Sequence, residues 1–455
     1  MENLQVLILA AGKGTRMKSG KAKVLHKVGG NALIEHVYRA AATISAHVHV
    51  VVGQQAEQVK ALLPAAAFVD QKEQLGTGHA VLSARDAFRG FSGEVVVLPG
   101  DVPLIGGDSL EAFVRFHRDG GYAASVLTAE IADPFGYGRI VRRKDNSVDC
   151  IVEHRDASPE VLRICEINSS IYAFDATSLF EALARVRNEN SQAEYYLTDV
   201  IGILTSRGQK VGAYKTANPV EILGINTRQE LAAIDHFLRT QKCEALMSEG
   251  VTIVNPESTF IDLDVQVGRD TVIHPSVQLE RGTVVGEDVT IRSFSRITNC
   301  RIGSRSTVLE SCVLVDSEIG EDVSVGPFAH VKMGTTLEDA VKVGNFVEIK
   351  KSRLGRGTKS GHLAYLGDTT VGKNVNVSAG VITANYDGTK KHETHIEDGA
   401  FIGTNSTLIA PVRVGQDAFV AAGSTITHDV PADALAIARE RQVVKEGRAP
   451  HKKKK

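Results

Sequence analysis

Apolar residues recur every six positions through the second half of this 455-residue sequence. A helix has a period of about 3.6 residues and a half-buried strand a period of 2, so neither produces this spacing. It is typical of a parallel β-helix, in which each coil buries an apolar row against the next coil. The repeat runs through Val267, Ile273, Leu279, Val285, Ile291 and Ile297, then through Ile302, Val308 and Leu314, then through Ile319, Val325, Val331, Leu337, Val343 and Ile349, and last through Ile396, Ile402, Leu408, Val414, Val420 and Ile426.

The main interruption of this repeat is the polar stretch "ANYDGTKKHETH", Ala384 to His395. It has no apolar row to bury, so we predict that it loops out of the stack of coils. Loops that leave a solenoid often lie on its binding face.

The first half of the chain has a different pattern. Short apolar runs without polar alternation, such as "LQVLILAAG", "HVHVVVG" and "GEVVVLPGD", alternate with helix-like segments. Such runs indicate strands buried on both faces of a parallel sheet that helices cover. We predict a doubly wound, Rossmann-like α/β domain over residues 1–227, whose ligands bind at the carboxyl ends of its strands.

A helical period links the two halves. Leu231, Ile234, Leu238 and Leu246 follow helical spacing, and Gly250 stands just beyond them. We therefore predict a linker helix over residues 228–249 and a β-helix domain over residues 250–455.

Composition restricts the function classes. The 52 basic and 54 acidic residues leave a net charge of −2, which excludes a global field that recruits nucleic acid or a membrane. Five scattered cysteines without a Cys-x-x-Cys pair favour reduced thiols over disulfides or a zinc site. No apolar run is long enough for a membrane span, and the acidic Glu2 argues against a signal peptide. We expect a soluble cytoplasmic protein with a solvated tail at Lys452–Lys455.

The stretch "LAAGKGTRM", Leu9 to Met17, places two glycines and two cations directly after the first apolar run. A dinucleotide fingerprint would need a third glycine, and a Walker A loop would need a different spacing. A tight turn without a ligand is the remaining simple interpretation. Lys23 nearby and a second glycine turn in "EQLGTGHA" favour phosphate binding instead.

Asp101, in "LPGDVPL", follows the buried run Val95–Val97. A carboxylate at the end of a buried strand is costly unless it has a partner such as a metal ion. We therefore expect Asp101 to be a metal ligand.

These motifs resemble, in order, those of the sugar nucleotidyltransferases, and the match continues with "GYGRI", "IVEHRDA", "EINSSIYAF", "EYYLTDVI" and "ILGINTR". Joined to the hexapeptide half, the chain is similar from about Leu4 to Gly447 to the bacterial N-acetylglucosamine-1-phosphate uridylyltransferase/glucosamine-1-phosphate acetyltransferases. The resemblance implies acetyl transfer from acetyl-CoA to glucosamine-1-phosphate, followed by UMP transfer from UTP to N-acetylglucosamine-1-phosphate. The product is UDP-N-acetylglucosamine, a precursor of peptidoglycan and lipopolysaccharide. It also implies Mg²⁺, a left-handed β-helix and a homotrimer.

For uridylyl transfer the resemblance implies catalytic roles for Arg16 and Lys23 and metal ligation by Asp101 and Asn226. Because the attacking sugar phosphate is already an anion, alignment and charge neutralisation suffice without a general base. Pro99 stands where a tyrosine or another polar residue is usual. The implied nucleotide and sugar contacts are Leu9, Ala10, Ala11, Gly12, Lys23, Gln71, Gly76, Thr77, Pro99, Gly100, Asp101, Gly138, Glu153, Asn168 and Asn226.

For acetyl transfer the resemblance makes His362 the general base, a role that imidazole fits near neutral pH. The implied amino-sugar phosphate contacts are Lys332, Lys350, Tyr365 and Asn376, and the implied acetyl-CoA contacts are Ala379, Asn385, Tyr386, Thr404, Ala422 and Arg439.

Four positions depart from the family pattern: Lys332 replaces arginine, Thr404 serine, Ser378 glycine and Ala384 cysteine. Lysine lacks the planar fork with which arginine holds a phosphate, so we expect weaker amino-sugar phosphate binding rather than loss of activity.

Two alternatives remain at this point. A single-activity nucleotidyltransferase with a regulatory β-helix would not need the His362, Tyr365 and Lys350 set. A scaffold without chemistry would not need Gly12, Lys23 and Asp101, all of which are present.

Overall fold

The structure is a computed structural model that describes residues 3–12 and 14–448. It divides into two compact units, Met1–His236 and Phe237–Lys455. Lys13 of the glycine-rich turn and the predicted solvated tail at Lys452–Lys455 lie outside the described residues.

A twisted sheet with helices on both faces forms the first unit. Its central path has the strand order β11-β7-β10-β6-β1-β4-β5, and β8 and β9 extend it from β10. The strands are β1 (Leu4–Leu9), β2 (Lys27–Val28), β3 (Asn31–Ala32), β4 (Val48–Val52), β5 (Ala67–Asp70), β6 (Glu94–Pro99), β7 (Ala124–Glu130), β8 (Arg139–Arg142), β9 (Val148–Val152), β10 (Glu166–Asp175) and β11 (Val211–Lys215). Strands β2 and β3 form a separate hairpin.

The helices of this unit are α1 (Leu33–Ile44), α2 (Ala56–Leu62), α3 (Thr77–Ser83), α4 (Gly107–Gly120), α5 (Pro159–Leu162), α6 (Ala176–Leu183) and α7 (Asp199–Ser206). They alternate with strands through most of this unit, although β7, β8 and β9 are consecutive and α7 directly follows α6. Short 3₁₀ turns lie at Thr15–Met17, Lys23–Leu25, Arg85–Phe88 and Pro219–Ile222.

Burial on both faces explains the apolar runs of the first half. Alternate residues of β6 enter different cores: Val96 and Leu98 pack with α1 and α4, whereas Val95 and Val97 pack with α3, α6 and α7. The predicted doubly wound fold is confirmed. The sheet is not all parallel, since β10 runs antiparallel to β6, β7 and β8, and β9 runs antiparallel to β8.

Helix α8 (Arg228–Ser248) occupies the segment in which a linker helix was expected. The division into compact units falls within this helix, at His236/Phe237. The domain boundaries at residues 227 and 249 therefore stay a prediction. Among the described residues, no helix is long and apolar enough to cross a membrane.

Three parallel sheets form the second unit, and each strand pairs with the strand three positions further along the chain, except that β39 pairs with β41 at the end of the first sheet. This connectivity is that of the predicted parallel β-helix. A 3₁₀ turn lies at Pro256–Ser258.

The first sheet consists of β12 (Thr252–Ile253), β15 (Val272–Ile273), β18 (Thr290–Ile291), β21 (Thr307–Val308), β24 (Ser324–Val325), β27 (Lys342–Asn345), β30 (Lys359–His362), β33 (Asn376–Val377), β36 (Phe401–Ile402), β39 (Phe419–Val420) and β41 (Leu435–Ala436). The second sheet consists of β13 (Phe260–Ile261), β16 (Gln278–Glu280), β19 (Arg296–Thr298), β22 (Val313–Val315), β25 (His330–Val331), β28 (Glu348–Lys350), β31 (Tyr365–Gly367), β34 (Ile382–Ala384), β37 (Thr407–Ile409) and β40 (Thr425–Ile426). The third sheet consists of β14 (Gln266–Val267), β17 (Val284–Val285), β20 (Arg301–Ile302), β23 (Ser317–Ile319), β26 (Thr335–Leu337), β29 (Arg353–Leu354), β32 (Thr369–Val371), β35 (Thr394–Ile396) and β38 (Val412–Val414).

The apolar period of six produces this architecture because each hexad supplies one inward side chain to one sheet, and three successive hexads complete a coil. Leu314 pairs with Val331, which pairs with Ile349, and all three are fully buried. The polar stretch between Ala384 and Thr394 connects β34 to β35 outside this core.

Candidate functional site

The glycine-rich turn leaves the sheet at the carboxyl end of its central strand. In register, Leu9 at the end of β1 lies between Val51 of β4 and Pro99 of β6. The amide of Gly100 donates to the carbonyl of Leu9 at 2.9 Å, so the two strand ends are joined. The chain crosses from one side of β1 to the other between β5 and β6, and open α/β sheets bind ligands at such a switch point.

At Gly14 the turn folds back toward the segment that carries Lys23. Its φ of +58° is left-handed, and a β-carbon there would lie 2.7 Å from Cβ of Lys23. Only glycine combines this conformation with so close an approach. Ala11 is buried, whereas no atom lies within 4 Å of a β-carbon placed on Gly12. The turn thus has room on the side of Gly12.

Two cations and two oxygen ligands converge beside this turn. The ammonium of Lys23 forms an ion pair with Oδ2 of Asp101 and lies 3.2 Å from Oδ1 of Asn226. Arg16 Nη2 donates to the same amide oxygen at 2.8 Å. Lys23 and Asp101 are mostly buried, with 17% and 15% of their side chains exposed. The fold therefore brings together four residues that the sequence separates by up to 210 positions.

Asn226 is oriented by the start of α8. The carboxylate of Glu230 accepts hydrogen bonds from the amides of Asn226 at 2.6 Å and Thr227 at 2.9 Å. The amide of Ile225 donates to the carbonyl of Asp101 at 3.0 Å. These bonds fix the two oxygen ligands relative to each other.

The donor set of this cluster fits a magnesium ion. Carboxylate and amide oxygens are hard ligands, and magnesium is commonly held by one or two carboxylates together with substrate phosphates and water. The Lys23 ammonium contacts both oxygens, so the space between them already accommodates a positive charge. Among the described residues, no group of three or more His, Cys, Asp or Glu side chains could hold a metal by itself.

A second glycine turn lies at the carboxyl ends of β4 and β5. The backbone amide of the buried Gln71 donates to the carbonyl of Val52 at 2.8 Å. The side-chain Nε2 of Gln71 lies 2.9 Å from Nδ1 of His79. Gly76 has a φ of +109°, and a β-carbon there would lie 2.6 Å from the carbonyl oxygen of Tyr195. Thr77 accepts a hydrogen bond from Leu197 N at 3.0 Å. Gln71, Gly76 and Thr77 thus form one compact turn.

Gly138 directly precedes β8, Glu153 directly follows β9, and Asn168 lies in β10. The amide of Asn168 donates to the carbonyl of Gly138 at 2.9 Å. Burial raises the pKa of the Glu153 carboxyl. Nearby carboxylates, those of Asp156 and Asp199, raise it further.

In the β-helix, His362 lies at the end of β30, next to Asn345 of the preceding coil. Nδ1 of His362 is 2.6 Å from Oδ1 of Asn345. Because an amide oxygen can only accept, this bond places the ring proton on Nδ1 and leaves the lone pair of Nε2 available. The geometry suits a general base.

The implied acetyl-CoA residues form a row above His362, at the same corner of successive coils. The residue directly after each member of the row donates its backbone amide to the carbonyl of the corresponding residue in the preceding coil. The bonds are Gly380 N to His362 O at 3.4 Å, Asn405 N to Ala379 O at 2.8 Å and Gly423 N to Thr404 O at 2.8 Å. Ala422 precedes Gly423, and Cδ of Arg439 lies 3.7 Å from the position that a β-carbon on Gly423 would take.

Tyr365 and Asn385 converge over Gly367. A β-carbon on Gly367 would lie 2.7 Å from Nδ2 of Asn385 and would also collide with the hydroxyl of Tyr365. Lys350 pairs in register with Gly367. A residue implied for the amino sugar and one implied for acetyl-CoA therefore meet at one point.

Two implied phosphate ligands have other partners in this structure. Lys332 forms an ion pair with Glu348 at 2.6 Å, and Asn376 donates to the hydroxyl of Ser378 at 3.0 Å. Both side chains would have to exchange these partners to bind a phosphate.

Family models match both halves of the chain. A MobA-like NTP transferase domain matches residues 6–197, the GMPPB C-terminal domain matches residues 254–354, and the bacterial transferase hexapeptide model (six repeats) matches residues 393–428. The chain is 50% identical over 442 residues to the "Bifunctional protein GlmU" of Geobacillus sp. (strain WCH70), which covers 97% of this chain and 96% of that protein. Proteins of the same name from Koribacter versatilis and Streptococcus agalactiae are 46% and 48% identical, and the matches cover 99% and 98% of this chain and 98% and 97% of those proteins.

The chain belongs to the GlmU family. Membership confirms the predicted nucleotidyltransferase joined to a left-handed hexapeptide β-helix, and it confirms the prediction of a bifunctional transferase. A single-activity nucleotidyltransferase with a regulatory β-helix is not favoured.

Two residues of this GlmU-family chain were not singled out from the sequence. Asn345 lies 17 positions before His362, which is one coil, so the repeat length was a signal that could have identified it. Tyr137 stands inside the motif "GYGRI", and its side chain lies near the backbone of Gly224 and near Asp101. Burial raises the pKa of Tyr137. No local sequence signal distinguishes this tyrosine from a core residue.

Gly367→Ala tests the convergence of Tyr365 and Asn385. Because the added methyl group must displace both side chains, we expect acetyl transfer to fall by roughly 10²-fold, with uridylyl transfer unchanged. Separate assays of the two reactions on folded protein would measure this. Gly361→Ala is a matched control, since no atom lies within 4 Å of a β-carbon there. Normal acetyl transfer by Gly367→Ala would contradict the assignment.

Proposed function

We propose that the chain makes UDP-N-acetylglucosamine in two steps at two separate sites. The first transfers the acetyl group of acetyl-CoA to glucosamine-1-phosphate, and the second transfers UMP from UTP to N-acetylglucosamine-1-phosphate with release of pyrophosphate. One observation carries the proposal: each compact unit of this GlmU-family chain holds its own converging set of polar groups, around Asp101 in one and around His362 in the other.

In uridylyl transfer, an oxygen of the sugar phosphate attacks the α-phosphorus of UTP, and the bond from that phosphorus to the pyrophosphate breaks. No proton has to be removed, because the nucleophile is an anion. Arg16 and Lys23 neutralise the charge of the phosphates and hold them in line. Lys23 turns from Asp101 toward the phosphates as the substrates bind.

Asp101 and Asn226 would hold Mg²⁺, which supplies further charge neutralisation between the phosphates. Small residues at the carboxyl ends of β1 and β6 allow the backbone to approach the nucleotide. These are Ala10, Ala11, Gly12 and Gly100, and Leu9 and Pro99 at the two strand ends contact it beside them. Gln71, Gly76 and Thr77 contact the uracil, and Gly138, Glu153 and Asn168 contact the sugar.

In acetyl transfer, the neutral amino group of glucosamine-1-phosphate attacks the thioester carbonyl, and Nε2 of His362 removes one proton from the nitrogen as the C–N bond forms. The C–S bond then breaks, and His362 passes this proton to the coenzyme A thiolate. Asn345 holds the imidazole in the required tautomer. Lys332, Lys350, Tyr365 and Asn376 hold the phosphate of the amino sugar.

Acetyl-CoA lies along the row of Ala379, Thr404, Ala422 and Arg439, with Asn385 and Tyr386 beside it. Neighbouring strands are about 4.8 Å apart, so the four steps from His362 to Arg439 span about 19 Å. An extended co-substrate fits such a row. Thr404 keeps the hydroxyl of the usual serine, so this departure changes little.

We also propose a cytoplasmic homotrimer, in which the β-helices form the interface. Its substrates, UTP and acetyl-CoA, are cytoplasmic metabolites. Phe294, Phe328 and Phe346 are exposed on one edge of the β-helix, and the rings of the last two stack at 5.4 Å. Leu363, next to His362, is also exposed. An apolar strip of this kind supports an interface with further copies of the chain.

Asp101→Ala tests the metal ligand. We expect uridylyl transfer to fall by roughly 10²–10³-fold because charge neutralisation is lost, while acetyl transfer persists. Binding of Mn²⁺ in the presence of UTP, followed by electron paramagnetic resonance, should weaken in parallel. Asp86→Ala removes an exposed carboxylate of the same unit and is the control. Equal loss of both activities in a folded Asp101→Ala protein would refute the two-site model.

His362→Ala tests the general base. Acetyl transfer should fall by about 10²–10⁴-fold, and UMP transfer to added N-acetylglucosamine-1-phosphate should remain. Activity is measured per folded molecule, so that a loss of stability is not mistaken for a loss of catalysis. His428→Ala, which removes an exposed imidazole of the same unit, is the control. Wild-type acetyl transfer by His362→Ala would end the assignment.

Light scattering at micromolar concentration should give a mass three times that of the chain. Phe328→Ser combined with Phe346→Ser should shift the protein toward monomer, because these rings form the exposed apolar strip. Phe135→Ser, a change at an exposed ring in the other compact unit, should not. A monomeric wild type would contradict the trimer, and a trimeric double variant would exclude this strip as the interface.

A further inference from the structure

The loop between β34 and β35 has no apolar core of its own. From Tyr386 to Lys391 every residue is exposed, and only Asn385 at its base is buried. Because it buries so little apolar surface, packing contributes little to its conformation. Polar contacts must therefore determine its shape.

The base of this loop is held by two hydrogen bonds. Nδ2 of Asn385 donates to Oδ2 of Asp368 at 2.5 Å, and the amide of His392 donates to the carbonyl of Asn385 at 2.8 Å. Tyr386 and Lys391 form an antiparallel bridge directly above. The base is a short two-stranded ribbon.

One carboxylate organises the tip. Oδ1 of Asp387 accepts from the amides of Thr389 and Lys390, both at 2.7 Å, and Oδ2 is 2.7 Å from Nε2 of His392. These three bonds hold the pKa of Asp387 well below its usual range. Tyr386 donates its hydroxyl to the carbonyl of Gly388 at 2.6 Å. The Asp387 carboxylate therefore links the residues of the loop tip to one another.

His392 joins the two ends of the network. Its backbone amide binds Asn385 at the base, and its side chain binds Asp387 at the tip. The chain between these anchors carries Tyr386. The orientation of both Asn385 and Tyr386 thus depends on the Asp387–His392 pair.

We propose that Asp387 and His392 are positioning residues for acetyl transfer: their pair holds Asn385 and Tyr386 in the arrangement that binds acetyl-CoA. This inference rests on the proposed acetyl-CoA site. An exposed ion pair contributes little to global stability. Its effect is local, because a loop that is already ordered loses less conformational entropy when the co-substrate binds.

The test measures steady-state acetyl transfer by the full-length Asp387→Ala and His392→Ala variants. We expect KM for acetyl-CoA to rise roughly tenfold, the loss that ordering two side chains on binding would cause, with kcat within about twofold of the wild type. Thermal stability and uridylyl transfer should not change. Calorimetric titration with acetyl-CoA should show the same loss of affinity.

Two further variants separate positioning from general damage. His392→Gln keeps a donor toward Asp387 and should recover most of the affinity. The double variant Asp387→Ala/His392→Ala should be no worse than Asp387→Ala alone, because Asp387→Ala already removes the only contact that the His392 side chain makes with Asp387. Glu393→Ala is the matched control, since it breaks a neighbouring exposed carboxylate–imidazole pair, with His395 at 3.4 Å.

Tyr386→Ala distinguishes this inference from the site on which it rests. Unchanged KM in Asp387→Ala and His392→Ala, together with a raised KM in Tyr386→Ala, overturns the positioning role alone. Unchanged KM in all three variants overturns the placement of acetyl-CoA on this loop as well. Additive losses in the double variant, or a fall in thermal stability that matches the loss of affinity, also overturn the positioning role.

Discussion

The hydrogen-bonded register between successive coils determines where every side chain of the second unit lies. Up to β40, each strand that continues a sheet pairs in parallel with the strand three positions before it, so residues about one coil apart in sequence become direct neighbours. This places Asn345 beside His362 and stacks Ala379, Thr404 and Ala422 above them. The apolar row inside the coils maintains this register, since a slip by one residue would turn every core residue outward.

In the first unit, the position of the candidate site depends on the point where the chain crosses from one side of β1 to the other. The chain changes sides next to β1, where the ends of β1 and β6 are joined and where open α/β sheets bind ligands. Lys23 and Asp101 come from different loops and meet Asn226 there, just before α8. The charges of Lys23 and Asp101 neutralise one another. The proposed function assigns the same groups to phosphates and to a cation.

Much of this organisation could be predicted from the sequence. The period of six required a β-helix, the unbroken valine runs required a sheet buried on both faces, and both predictions are confirmed. The predicted site residues are brought together around Asp101 and around Gly367, and their roles stay predictions that the proposed experiments test. The antiparallel direction of β10 was not predictable, because a strand buried on both faces has the same apolar pattern in either direction.

Local sequence decided which segments form strands, helices and turns, because period, glycine placement and apolar runs act over a few residues. It also carried the family resemblance, through motifs that remain recognisable in order. Only the tertiary structure decided which partner each polar group has. The Asn345–His362 bond, the Lys332–Glu348 pair and the closure of the loop by Asp387 and His392 arise from register and loop geometry. These contacts depend on where the backbone places two separate segments, which a local pattern does not encode.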